Sequence, residues 1–117
     1  MFLRFFKKDK PGYYQGKHYT EYIDRVKELK RQDKLVEAEK LLLALITAVE
    51  AEETVQQHSR APWYTAQLAI IYRQQRRHSD EVALLERYDM RAGRPSFTER
   101  IATAKALAAK APQIESL

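Results

Sequence analysis

Apolar positions along this chain recur three and four residues apart, and no stretch alternates with the period of two that a strand would show. Tyr19, Tyr22, Ile23, Val26 and Leu29 fall on one helical face and leave Asp24, Lys27 and Arg31 on the other, which predicts a first helix from about His18 to Gln32. Asp33 can cap a second helix. Leu35, Ala38, Leu41, Leu42, Leu45, Ile46 and Val49 give it an apolar face broad enough to pack on more than one neighbour, and it is expected to reach about Gln57. Ser59 to Pro62 punctuates the chain, with Pro62 suited to a first helical turn. Trp63, Tyr64, Leu68, Ala69, Ile71 and Tyr72 then mark a third helix that stops near Arg77. Ser79 is the expected N-cap of a fourth helix, with Asp80 and Glu81 at the positive end of its dipole. That helix should bury Val82, Leu84, Leu85 and Tyr88 and end at Gly93 and Pro95. Ser96 and Glu99 form a capping box for a fifth helix with a thin stripe of Ile101, Ala104, Leu107 and Ala108. The expected fold is all-α with about five helices.

The two middle pairs of helices read alike. "YIDRVKELKRQDKLVEAEKLLLAL" and "WYTAQLAIIYRQQRRHSDEVALLERY" are each a helix, a short polar turn, and a second helix opening on an acidic-apolar pair. The pattern resembles the tetratricopeptide-repeat (TPR) family, with Tyr22 or Trp63 as the early aromatic, Leu68, Ala69 and Tyr72 mid-helix, and Ala38 in the second helix. The resemblance covers roughly residues 18–90. Asp33 and Arg76 stand where that family has glycine, the second turn reads one residue longer, and Ala38 and Val82 lie 44 positions apart against a repeat of about 34. Two repeats are fewer than the three or so such arrays need, so the fifth helix is expected to act as a cap. Another antiparallel helical bundle would suit the same pattern. The implied organisation is an aromatic and basic segment over residues 1–17, two antiparallel hairpins over 18–92, and a capping helix with its tail over 93–117.

A length of 117 residues with 44% hydrophobic and 32% charged positions suits one soluble domain. No apolar run approaches the roughly 18 to 20 residues that cross a bilayer. The opening "MFLRFFKKDK" lacks the order and cleavage site of a signal peptide, so a cytoplasmic setting is expected. The chain has no cysteine, which excludes disulfides and thiolate metal sites. Its net charge of +5 is uneven: +5 over residues 1–34, −4 over 35–57, +3 over 58–95 and +1 beyond. Such alternation suits complementary packing or a charged groove better than a uniform surface for polyanions.

Catalysis has little support. His18, His58 and His78 lie near predicted helix ends, none at a metal-ligand spacing, and read as solvated residues. There is no glycine-rich phosphate loop and no nucleophile elbow. Glu37, Glu39, Glu50, Glu52 and Glu53 read as a solvated acidic face of the long helix, since no Glu-x-x-His partner accompanies them. No catalytic residue, cofactor site or metal site is assigned. Trp63 and Tyr64 suit packing on the preceding helix more than peptide contact.

The run "YRQQRRHSDE" carries Arg73, Arg76 and Arg77 at the end of an apolar helix. Cations there complement the helix dipole, worth about 0.3–1 kcal/mol each, or they form one wall of a binding surface. In the TPR family the first helix of each pair lines the concave face, so the resemblance implies Lys27 and Arg31 beside Arg73 and Gln74 in a basic groove. The family's carboxylate-clamp subtype uses asparagines, and this chain has none. The leading expectation is a non-enzymatic module binding an acidic peptide or protein; the alternative is a nucleic-acid binder, suggested by a pI of 9.5 and the "RQQRR" run. Residues 1–10 allow packing on the helices, self-association or a weak contact with an anionic membrane surface.

Overall fold

The computed structural model describes residues 9–56 and 61–110. His58, Ser59 and residues 1–8, to which most of the membrane-surface and self-association readings attach, lie outside them. Five helices account for most of the described chain: α1 over Ile23–Arg31, α2 over Leu35–Gln56, α3 over Pro62–Gln74, α4 over His78–Ala92 and α5 over Thr98–Lys110. The protein is all-α in class, with one small exception. Tyr13–Tyr14 (β1) and Lys17–His18 (β2) pair antiparallel, Tyr13 opposite His18 and Tyr14 opposite Lys17. The expectation of no strand fails here because a two-residue ladder is too short to show a period. The chain forms two compact units that divide between Tyr64 and Thr65, inside α3.

In the first unit the hairpin is made by its turn chemistry. Gln15 and Gly16 take positive φ values of 50° and 85°, and their backbone N–H groups both donate to the Asp9 carboxylate. The Tyr14 and Tyr22 rings meet at a tilt, centroids 5.6 Å apart, and the Tyr22 hydroxyl donates to the Tyr14 carbonyl at 2.7 Å. Tyr13 and Tyr14 are both half-buried. The helix expected from His18 begins instead as a 3-10 turn over Tyr19–Tyr22, with the His18 ring accepting the Thr20 N–H as its cap. Regular α-helix follows only from Ile23. Tyr19, Val26 and Leu29 are buried against the Ala38, Leu42, Leu45, Ala48 and Val49 stripe of α2, while Asp24, Lys27 and Arg31 stay exposed as predicted.

In the second unit Leu68, Ala69, Ile71 and Tyr72 of α3, Leu85 of α4 and Ala104 of α5 form the core. Val82, Leu84 and Tyr88 are only half-buried. Gly93 ends α4 in the left-handed conformation, φ 73°, as its sequence position predicts. The expected Ser79 cap is displaced: α4 begins at His78, and Arg77 precedes it with no side-chain cap bond. The Ser96 capping box is also displaced, because α5 opens at Thr98. Asp89 supplies the acceptors there, taking the Ser96 N–H at 3.0 Å and the Phe97 N–H at 3.4 Å. Tyr88 meets Phe97 edge-on at 5.2 Å and Glu86 pairs with Lys105 at 3.0 Å, fastening α4 to α5.

The two helix reversals are copies of one another. After α1, Lys34 N–H bonds back to the Leu29 carbonyl at 2.8 Å, with Asp33 left-handed at φ 58°. After α3, Arg77 N–H bonds to the Tyr72 carbonyl at 2.8 Å, with Arg76 left-handed at φ 59°. Each is the six-to-one closure that ends a helix and satisfies its last carbonyls. The next helix then starts from the same place, Ala38 N–H to Lys34 carbonyl and Glu81 N–H to Arg77 carbonyl, both 3.0 Å. Every pairing is offset by 43 positions, so the second turn carries no extra residue. The partner of Ala38 is Glu81, not Val82. Asp33, expected to cap α2, instead serves as the left-handed residue that closes α1.

Two measurements test this architecture. Leu42 is fully buried, so Leu42→Ala should cost about 2–5 kcal/mol in urea denaturation. A loss under about 1 kcal/mol would mean that this face is not core. A left-handed residue with a side chain costs roughly 1–2 kcal/mol that glycine does not, and glycine gives back part of this in backbone entropy. Arg76→Gly should accordingly raise stability by about 0.5–1 kcal/mol, whereas Arg76→Val should lower it. Equal effects of the two substitutions would contradict the turn geometry.

Candidate functional site

The three arginines of "YRQQRR" have three separate tasks. Arg76 occupies the left-handed turn position and is exposed. Arg77 lies over the Tyr72 ring, 4.4 Å from its centroid, donates to Asp80 at 2.9 Å and reaches Gln75 at 3.0 Å. Arg73 turns across the hairpin to the first turn of α4. Its Nε donates to Glu81 Oε1 at 2.8 Å and its Nη2 to Oε2 at 2.7 Å, a planar two-pronged pair. Glu81 is 2% exposed and Arg73 about one third exposed, so the carboxylate sits inside and the guanidinium reaches outward. The bonds to Glu81, against the opposing effect of burial, hold the Arg73 guanidinium above its ordinary value.

Arg73 and Gln74 line a depression of about 270 Å³ together with Ala69, Ile70, Glu81 and Arg100. Arg100 enters from the first turn of α5, exposed and 5.8 Å from the Phe97 ring. Two guanidinium groups, one carboxamide and one neutralising carboxylate therefore surround a partly apolar cleft. Such a cleft can hold an anionic group. The other predicted site residues, Lys27 and Arg31, belong to the first unit. Both are exposed on α1, and Arg31 pairs with Glu28 one turn before it.

The His78 ring lies beside the arginine pair, only 12% exposed, with Nδ1 buried without a hydrogen-bond partner and 4.0 Å from Glu81 Oε1. His18 departs further from the solvated reading. Its Nε2 meets Glu52 Oε2 at 2.8 Å, and the Tyr19 hydroxyl donates to Glu52 Oε1 at 2.8 Å. The sequence separates His18 from Glu52 by 34 positions, so no spacing rule could pair them. Because Nδ1 accepts the Thr20 N–H, the proton on the neutral ring belongs on Nε2 and points at Glu52. Gly12 completes this cluster. Its N–H donates to the Ala48 carbonyl at 3.1 Å, and a Cβ there would lie 2.7 Å from Glu52 Oε2. Glu53 is also buried, so the end of α2 is not the solvated acidic face expected of it. The cluster fastens the β1–β2 segment to α2. Among the described residues no three His, Cys, Asp or Glu side chains gather closely enough to hold a metal ion.

Among the described residues, no helix is long and apolar enough to cross a membrane. No protein-family model matches the chain, and no curated protein or solved structure matches it either.

The Glu52 cluster has a measurable signature. Burial raises the carboxyl's pKa, but the hydrogen bonds from His18 and Tyr19, with the His18 charge, outweigh it and leave the value below the ordinary 4.5. A depressed carboxyl stabilises the fold above its unfolded value, and that contribution is lost as the pH falls through the folded value. Glu52→Gln should therefore be less stable than the parent near neutrality, and the gap should close as the pH drops below about 4.5. Denaturation midpoints across that range test it; a gap independent of pH would remove Glu52 from the acid response.

Proposed function

We propose that the chain is a TPR-like, non-enzymatic interaction module of the cytoplasm that binds an acidic peptide or protein through its basic faces. The observation that carries this reading is the depression in the second unit, where Arg73, Gln74 and Arg100 converge on one cleft. Lys27 and Arg31 present cations on α1 of the first unit, to the same class of partner. The paired reversals, closed by the same bonds 43 positions apart, support two helical hairpins built on one plan, which is the basis of the TPR-like description. The departures from that family remain: the period is longer, and Asp33 and Arg76 replace glycine. Binding would draw on charge-assisted hydrogen bonds of roughly 1.5–3 kcal/mol each, with electrostatic complementarity selecting acidic partners.

The test compares ligand classes on the full chain. A labelled peptide of alternating glutamate and leucine, its glutamine counterpart and a single-stranded oligonucleotide of equal charge are titrated by fluorescence anisotropy. The glutamate peptide should bind at least about tenfold more tightly than the glutamine peptide, a difference of about 1.4 kcal/mol. Tighter binding of the oligonucleotide, falling log-linearly with salt, would replace this reading with a nucleic-acid binder. Arg73→Ala is not a clean probe of binding. It strands the buried Glu81 carboxylate, which typically costs about 3–5 kcal/mol of stability.

A further inference from the structure

We infer that the depression bounded by α3, α4 and α5 takes one carboxylate side chain of a partner together with an aliphatic neighbour, and that Glu81 is the residue that positions Arg73 for it. Arg73 and Arg100 grip the carboxylate, and Ala69 and Ile70 receive the aliphatic group. This inference rests on the interaction-module reading and assigns that module one site and one ligand chemistry.

Comparison of the two hairpins isolates what Glu81 adds. At the 43-residue offset Lys30 corresponds to Arg73 and Ala38 to Glu81. The first hairpin closes the same turn with the same backbone bonds, using a fully buried alanine where the second has a carboxylate. The turn therefore does not need the ion pair. Nor does packing favour it, because burying a carboxylate carries a desolvation penalty that its partner's attraction often only offsets. What the pair does provide is orientation. Of five guanidinium donors, the Nε and Nη2 contacts to Glu81 use two, fixing the plane of the group, and Arg73 also lines the cleft. A donor fork held in place loses less entropy when it binds a carboxylate.

The other features of the cleft match that ligand. Arg100 supplies a second cation from a different helix, and Gln74 a neutral donor and acceptor. A volume of about 270 Å³ falls just below the range of pockets for drug-sized ligands, roughly 300–1,000 Å³, and suits a side chain with part of a neighbour. Its apolar lining by Ala69 and Ile70 has no use for a bare inorganic anion but suits an aliphatic group beside the charge.

The experiment uses the full chain, isotopically labelled, titrated with the capped tripeptide acetyl-Leu-Glu-Leu-amide and with its Leu-Gln-Leu counterpart. Amide and arginine Nε–H resonances report where each binds. The expected result is saturable shifts around Arg73, Glu81 and Arg100 with the glutamate peptide and none with the glutamine peptide. Arg100→Gln should weaken binding at least about fivefold. Glu81→Gln gives opposite signs for opposite roles. If Glu81 acts only as a nearby negative charge, removing it strengthens binding of an anion; if it positions Arg73, the loss weakens it. Tighter binding by Glu81→Gln overturns the inference, as does a loss under twofold for Arg100→Gln, which decides alone if Glu81→Gln does not fold. Shifts confined to α1 around Lys27 and Arg31 would overturn this site and leave the interaction module standing. Failure of every acidic peptide to bind would end both.

Discussion

Reversing a helix within two or three residues requires one residue in the left-handed region, and this chain meets that requirement twice without glycine. Asp33 and Arg76 take that conformation at φ 58° and 59°. The closing bonds from Lys34 to Leu29 and from Arg77 to Tyr72 satisfy carbonyls that would otherwise be orphaned at the helix ends. Much else in each hairpin depends on this placement. It sets where the next helix begins, and so which of its residues faces back: Ala38 after the first reversal and Glu81 after the second. The clasp between Arg73 and Glu81 exists because the turn brings the last turn of α3 to the first turn of α4.

The helices were legible because their burial is a matter of period. Every apolar residue assigned to the α2 face is buried or half-buried, and Val26, Leu29, Leu68, Ile71 and Ala104 fall inside as their spacing requires. Boundaries were less legible, since they depend on which polar group wins the free backbone N–H groups. Ser79 and Ser96 have the chemistry of caps, yet Arg77 precedes α4 and Asp89, seven positions before Ser96, holds the entry to α5. Asp9 acts likewise on the Gln15 and Gly16 N–H groups. A carboxylate several residues away competes well with a local hydroxyl because its bonds are charge-assisted.

The candidate site was legible in part, and the missing part follows a rule. Arg73 and Gln74 were singled out with Lys27 and Arg31 because the repeat-like pattern implied one helix face for all four. Arg73 and Gln74 line the depression of the second unit, while Lys27 and Arg31 are exposed on α1 of the first. Arg100 could not be singled out, because it reaches the cleft from another helix and its local surroundings are those of any exposed helical arginine. Glu81 was visible only as a charge suited to a helix start, a role shared with Asp80. What separates the two is burial: Glu81 is inside the hairpin, while Asp80 is exposed and pairs with Arg77. The His18 and Glu52 pairing was hidden for the same reason, being made by tertiary packing across 34 positions.

These polar clusters also distinguish the two hairpins, which share one turn. The apolar residues of the two reversals are interchangeable in kind, Leu29 for Tyr72 and Leu42 for Leu85 at the 43-residue offset. The polar residues are not. Lys30, whose pKa burial lowers, stands where Arg73 has its pKa raised by Glu81. A lysine ammonium is a point charge on a flexible stem, whereas a paired guanidinium is a planar fork with a fixed direction. Lys and Ala in the first hairpin and Arg and Glu in the second thus occupy equivalent positions on the same turn backbone, and only in the second does a buried carboxylate fix the direction of a guanidinium. The two hairpins differ in these polar residues while sharing the backbone bonds of the turn.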